Sequence, residues 1–146
     1  MGARPLLETE TRLHVDLCGR AGITEDALAA TLEAPQNLAY TRYVLEAGYS
    51  GDFLDLLAAL APCVLGYGEI GARLLAGPHA PDYAEWIETY GSADYQALCH
   101  DTAALIDGAV ERRLGPDAAS LPRWTQLQDR FSTATRLEAA FWTLAG

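Results

Sequence analysis

Cys63 and Tyr67 lie four residues apart in a run whose apolar positions are Leu56, Leu60, Cys63, Tyr67, Ile70 and Leu74. Steps of four and three mark one face of an α-helix, so the thiol and the phenol stack one turn apart and face inward. A thiol in that setting can act as a nucleophile, or it can simply fill space as a small core hydrophobe. Tyr67 can equally be a core aromatic whose hydroxyl finds a partner. A second run, Phe131, Ala134, Glu138, Phe141 and Ala145, places a carboxylate on a core-facing stripe between two phenylalanines. Burying an ionised carboxylate is costly, so such a Glu is paired, protonated or useful. Desolvation is expected to raise its pKa and suit it to donate a proton near neutral pH. The structural alternative is an ion pair with an Arg. Arg136 is a poor candidate, because positions two apart on a helix do not face each other.

Tyrosines also recur at helical spacing. Tyr40 and Tyr43 are three apart, and Tyr83, Ile87 and Tyr90 share one face. Such stripes ordinarily form core. A cavity lined by a thiol, a carboxylate and several phenols would also hold a small polar aromatic ring. The histidines carry less. His14 follows Glu10 by one turn, His79 sits beside Pro78, and His100 adjoins Cys99 and Asp101. Neither their number nor their spacing suits a metal site, so no metal and no cofactor is expected.

These side chains need helices to hold them. A first helix is expected from about Leu6 to Cys18, and a short second one runs from a Thr24 cap to Leu32, with Pro35 as its breaker. A third spans about Gln36 to Ala47. Asp52 caps the longest, about Phe53 to Leu75, in which Pro62 is expected to delete one backbone hydrogen bond and kink the helix. Pro81 opens a fifth, a sixth covers about Ala93 to Leu114, and the last covers about Trp124 to Leu144. No linker-like stretch divides the chain, so residues 1–146 are expected to form one all-α domain of about seven helices.

Composition agrees with that class. The chain holds 26 Ala and 22 Leu among 146 residues, against only eight Val and Ile. Ala and Leu favour helices, while β-branched residues favour sheets. Net charge is −10, and all ten basic residues are Arg. Such a surface repels phosphate backbones, so no nucleic-acid partner is expected. The lack of Lys excludes Schiff-base and phosphate-loop lysines. Cys18, Cys63 and Cys99 are odd in number and widely spaced, with no signal-like segment before them, which points to free thiols in a cytoplasmic setting. No apolar run is expected to reach the ~20 residues that cross a bilayer, so no membrane partner is expected.

Four blocks of the sequence resemble the thiaminase II (TenA) family: Asn37-Leu38-Ala39-Tyr40-Thr41-Arg42-Tyr43, Leu60-Ala61-Pro62-Cys63-Val64-Leu65-Gly66-Tyr67-Gly68-Glu69-Ile70-Gly71, Tyr83-Ala84-Glu85-Trp86-Ile87-Glu88-Thr89-Tyr90, and Glu138-Ala139-Ala140-Phe141-Trp142. They occur in the family's order with similar spacing. The resemblance implies a haem-oxygenase-like (TenA-type) helical bundle. It implies hydrolysis of aminopyrimidines such as 4-amino-5-aminomethyl-2-methylpyrimidine in thiamine salvage, and cleavage of thiamine. Cys63 matches the family nucleophile and Glu138 the acid/base. Tyr67, Tyr90 and Tyr40 match tyrosines at the substrate ring and in the catalytic cluster. The partner is then a small-molecule pyrimidine or thiamine, and the assembly a homo-oligomer, commonly a tetramer in the family.

The chain departs from the family at its N-terminus. Family domains carry further helices before the segment that Met1 begins, and those helices supply an aspartate and an aromatic that hold the pyrimidine. Nothing before His14 resembles them, so the chain is expected to be N-terminally truncated relative to the family, as a shortened reading frame or a divergent short form. Thr143 is a smaller departure, at a position that is often acidic. The competing function is a non-catalytic helical remnant serving as a binding or oligomerisation module. A haem-oxygenase-like relative with a metal or quinone cofactor is disfavoured by the lack of a multi-His set. Truncation should also leave an exposed apolar patch bordering the Cys63–Glu138 site.

Overall fold

The computed structural model describes residues 3–143, and every long element among them is an α-helix. The helices are α1 (Ala3–Arg20), α2 (Glu25–Ala30), α3 (Pro35–Ser50), α4 (Phe53–Ala61), α5 (Tyr67–Leu75), α6 (Ala84–Gly91), α7 (Ala93–Leu114) and α8 (Pro122–Trp142). A π-turn, Pro62–Gly66, joins α4 to α5 without a gap, so the two run on as one rod and the described residues hold seven rods. The chain divides into two compact units, one ending at Ala34 and the other beginning at Pro35.

The first unit holds α1 and α2. Thr24 caps α2 as expected, its Oγ1 accepting the Ala27 N–H at 3.2 Å. The helix ends at Ala30, where Thr31 turns to extended backbone, short of the expected Leu32. Pro35 does not break it. It opens α3, in a first turn where a missing N–H costs no helical bond.

The second unit holds α3 to α8. Asp52 starts α4 through a capping box. Its Oδ1 accepts the Leu54 and Asp55 N–H groups at 2.7 and 3.3 Å, and Asp55 Oδ2 accepts the Asp52 N–H at 2.8 Å. The break expected at Pro62 takes the form of the π-turn, which absorbs a residue that has no N–H to give. Two cores flank the rod. Ala47 of α3, Ala59 of α4 and Ala134 of α8 meet with no exposure, with Tyr40, Tyr43 and Val44 packed around them. Leu54 and Leu57 pack with Ala109 of α7 and Leu127 of α8.

The stripe expected on the rod is not its most buried line. Ile70 and Leu74 are 43% and 40% exposed, while the tightly packed positions are Leu54, Leu57, Ala59, Ala61, Gly68 and Gly71. Small residues mark the closest approaches. A Cβ on Gly71 would lie 2.5 Å from the Tyr90 carbonyl carbon, and one on Gly91 would lie 2.9 Å from the Gly71 oxygen. α5 and α6 therefore cross backbone to backbone.

One membrane expectation needs correction. The rod Phe53–Leu75 has 23 residues and a mean hydropathy of 1.5 over its most apolar window, long and apolar enough to cross a bilayer. It packs against α3, α6, α7 and α8, as the core helix of a water-soluble bundle also does.

Candidate active site

The π-turn carries Cys63, and α5 begins with Tyr67. Both are half-buried on the side facing Tyr40 and Glu138. Cys63 Sγ donates to the Leu60 carbonyl at 3.1 Å. The Tyr40 hydroxyl, carried in from α3, donates to the Ala59 carbonyl at 3.3 Å and also hydrogen-bonds Cys63. Burial, the Cys63 contact and the nearby charges of Cys63 and Glu138 push the Tyr40 phenol well above its ordinary value.

Glu138 enters from α8 and is only 7% exposed. Its described partner is not an Arg. Tyr67 Oη donates to Glu138 Oε1 at 2.5 Å, across 71 residues of sequence. Burial, this hydrogen bond and the Glu138 charge hold the Tyr67 phenol well above the usual range, so it stays a donor. Arg136, on another face, donates to the Thr133 hydroxyl at 2.9 Å.

Tyr90 is buried on α6, with its ring edge-on to Tyr67 at 5.2 Å. Trp86 and Trp142 join them. Trp86 lies 4.6 Å from Tyr90, and Trp142 lies 5.5 Å from Tyr67 and 5.4 Å from Trp86. The structure thus brings Cys63, Tyr40, Tyr67, Glu138 and Tyr90 into one cluster drawn from α3, the π-turn, α5, α6 and α8.

Two expectations about the surroundings differ. Phe131 is 42% exposed, so the stripe expected around Glu138 is not core-facing along its whole length. The helical neighbour of Glu138 on the inner side is Ala134, and Ala145 lies outside the described residues. Tyr83 is exposed, leaving Ile87 and Tyr90 as the buried part of the α6 stripe. Trp142, 38% exposed, borders Tyr67, and a separate apolar groove opens elsewhere in the second unit. A groove of about 750 Å³ is lined by Leu54, Leu57, Leu65, Ile106, Val110, Trp124, Leu127 and Phe131, among others, and by none of the five clustered residues.

The sequence reading missed some features. Trp86 and Trp142 carried no role in it, and Tyr95 was not singled out, although its ring packs 4.8 Å from Tyr90. A second buried carboxylate, Asp55, also went unnoticed. Arg123 and Arg130 both pair with it, Arg130 Nε at 3.0 Å, and Arg130 also reaches Glu46 at 2.8 Å. Burial pushes the Asp55 carboxyl up, but hydrogen bonds from Arg123 and from the Asp52 N–H outweigh it and hold it below the usual range. Among the described residues no three His, Cys, Asp or Glu side chains gather as metal ligands, and Cys18, Cys63 and Cys99 form no disulfide.

Comparison with known proteins places this arrangement. The model of the TENA/THI-4/PQQC family matches residues 3–145. An aminopyrimidine aminohydrolase of Halalkalibacterium halodurans is 35% identical over 142 residues, covering 95% of this chain and 61% of that protein. An uncharacterized protein of Haemophilus influenzae is 34% identical over 142 residues, covering 95% of this chain and 63% of its own length. The crystal structure of a TenA family transcription regulator from Silicibacter sp. TM1040 superposes with a TM-score of 0.90 at 58% identity, over 92% of this chain and 60% of that one. The chain therefore spans about three fifths of the length of the relatives it matches. With a family match running almost from end to end, the chain belongs to the TENA/THI-4/PQQC family.

Proposed function

We propose that the chain is a thiaminase II-type hydrolase of aminopyrimidines, with Cys63 as nucleophile and Glu138 as acid/base, acting in thiamine salvage. The observation that carries the reading is the convergence of the Cys63 thiol and the Glu138 carboxylate on one pair of phenols. Tyr40 contacts Cys63, and Tyr67 donates to Glu138. Relatives named aminopyrimidine aminohydrolase, at 35% and 28% identity, support the reaction class.

The chemistry follows from the residues. The Cys63 thiolate forms a C–S bond to the electron-poor pyrimidine ring. The ring electrons then expel the group on the exocyclic methylene, and that C–N bond breaks with its electron pair on nitrogen. Glu138 gives the departing nitrogen a proton. Water adds to the methylene, its proton returns to Glu138, and the C–S bond breaks to release the hydroxymethyl product and the thiolate. Tyr67 holds the carboxylate in place through both proton transfers. Tyr90, with Tyr67 and Tyr40, offers the aromatic and hydroxyl surface for the ring. No cofactor is required. A net charge of −10 sets the surface against a nucleic-acid partner, the regulator named among the relatives notwithstanding.

The test is ammonia release from 4-amino-5-aminomethyl-2-methylpyrimidine by the purified chain. Turnover is expected to be poor, and Cys63→Ser and Glu138→Gln should each abolish what there is with the melting temperature retained. Turnover that survives Cys63→Ser would remove the nucleophile from the reading. No turnover by the wild-type chain would return it to a non-catalytic binding module.

A further inference from the structure

Val64, the residue after Cys63, presents its carbonyl to the start of α7. Tyr95 Oη donates to that oxygen at 3.3 Å, and Cys99 Sγ approaches it at 3.6 Å. Within the π-turn the same oxygen accepts the Tyr67 N–H. A wide turn has weaker internal hydrogen bonding than an α-helix and needs support from outside. Here a neighbouring helix supplies it, one peptide from the thiol.

The next residue of α7 repeats the device. Gln96 Nε2 donates to the Gly68 carbonyl at 2.9 Å and to the Tyr90 carbonyl at 3.0 Å. Both partners are acceptors, so the amide must turn its nitrogen toward them, and its two protons match two oxygens. Gly68 follows Tyr67, so one side chain ties together the backbones that carry Tyr67 and Tyr90. The position of α7 is itself fixed. Ser92 caps it by accepting the Tyr95 N–H at 3.1 Å while donating to the Thr89 carbonyl at 2.8 Å.

We propose that Tyr95 is a positioning residue for Cys63: its hydroxyl clamps the Val64 carbonyl and so fixes the π-turn that aims the thiol. The inference rests on Cys63 as nucleophile, but its test reads thiol reactivity directly. Without the clamp the turn can relax toward ordinary helix, and Sγ leaves its register with the Leu60 carbonyl and Tyr40. Tyr95 need not touch substrate to do this. Its ring, edge-on to Tyr90, would remain in a Phe variant.

The experiment is iodoacetamide alkylation of the folded chain, with rates at Cys63 and Cys18 followed by peptide mass spectrometry across the thiol titration range. Tyr95→Phe should change the Cys63 rate by about threefold or more, the scale set by one hydrogen bond, and displace its pH profile. The Cys18 rate and the melting temperature should hold. Tyr43→Phe is the matched control. It also removes a phenol that donates to a backbone carbonyl, that of Arg130 at 3.4 Å, and it should leave the Cys63 profile unchanged. A Cys63 profile in Tyr95→Phe that superposes on wild type overturns the proposal. So does faster labelling of Cys63 and Cys18 together with a lower melting temperature, which would make the hydroxyl a general stabiliser. Failure of the hydrolase reading would appear separately, as the absence of ammonia release in the wild-type chain.

Discussion

Tyr67 and Glu138 form a buried pair in which the phenol is the described donor to the carboxylate. Removing the donor leaves an acceptor buried without that partner, which costs more than the net worth of the bond. Tyr67→Phe should therefore lower stability by about 1–3 kcal/mol, read from denaturant unfolding. The same pair sets an alkaline limit. Burial, hydrogen bonding and nearby charge raise the Tyr67 and Tyr40 phenols above their ordinary value. In the unfolded chain they ionise near pH ~10. Above that pH the folded chain holds more protons than the unfolded one, so stability falls as pH rises. Burial also raises the Cys99 thiol, whose ordinary value lies lower, at 9.0, so the decline begins with that group. Denaturant midpoints should begin to decline above the ordinary thiol value, 9.0, and fall further above the phenol value, 10.0, that second part more gently in Tyr67→Phe. Cys63 and Glu138 were legible in the sequence because a thiol and a carboxylate on apolar faces contradict their surroundings. Tyr95 and Gln96 were not, because their partners are backbone carbonyls, and a carbonyl leaves no mark on residue type.

Some helix ends were legible where faces were not. Asp52 capping is local chemistry, and the bounds Phe53–Leu75 were read with it, whereas Pro35 opens the helix it was expected to precede and α2 stops short of Leu32. The packed face of the long rod depends on which neighbours come close, and a hydropathy stripe gives no weight to Gly68 and Gly71, where they come closest. Gly71→Ala tests this. The new Cβ would meet the Tyr90 backbone, which cannot yield as a flexible side chain would. A loss of about 1–3 kcal/mol is expected, with the Tyr67–Tyr90 geometry disturbed in the near-ultraviolet circular dichroism. The other tie between elements is ionic. Asp55 links α4 to α8 through Arg123 and Arg130, and Arg130 extends the link to Glu46 of α3. Asp55→Ala leaves two half-buried guanidinium groups short of a carboxylate and should cost about 3 kcal/mol in thermal or denaturant unfolding. The Asp55 carboxyl is held below its ordinary value, so its contribution is full above the unfolded pKa, 3.8, and is lost as pH falls below it. Wild type should therefore lose stability in acid more steeply than Asp55→Ala.

On the scale of the whole molecule, burial and charge oppose one another. The groove between α4, α7 and α8, about 750 Å³, has buried Leu54, Leu57 and Leu127 in its floor, with half-buried Leu65, Ile106, Val110 and Trp124 and exposed Phe131 around it. Each large apolar side chain left in water forgoes roughly 1.5–3 kcal/mol of burial, so covering the groove is favourable. The net charge of −10 pushes copies apart through a field that salt screens over a Debye length of ~10 Å at 0.1 M. The balance makes a definite prediction. The chain should self-associate, with a mass by light scattering that rises above 15.7 kDa with concentration, and more steeply as salt is added. An assembly held by surface ion pairs would respond to salt in the opposite sense. Phe131 is the most useful probe, because it lines the groove, is 42% exposed and lies apart from the Cys63–Glu138 cluster. Phe131→Ser should weaken association while leaving unfolding stability nearly unchanged. A mass fixed at 15.7 kDa over all concentrations and salts would mean that water covers the groove at no net cost.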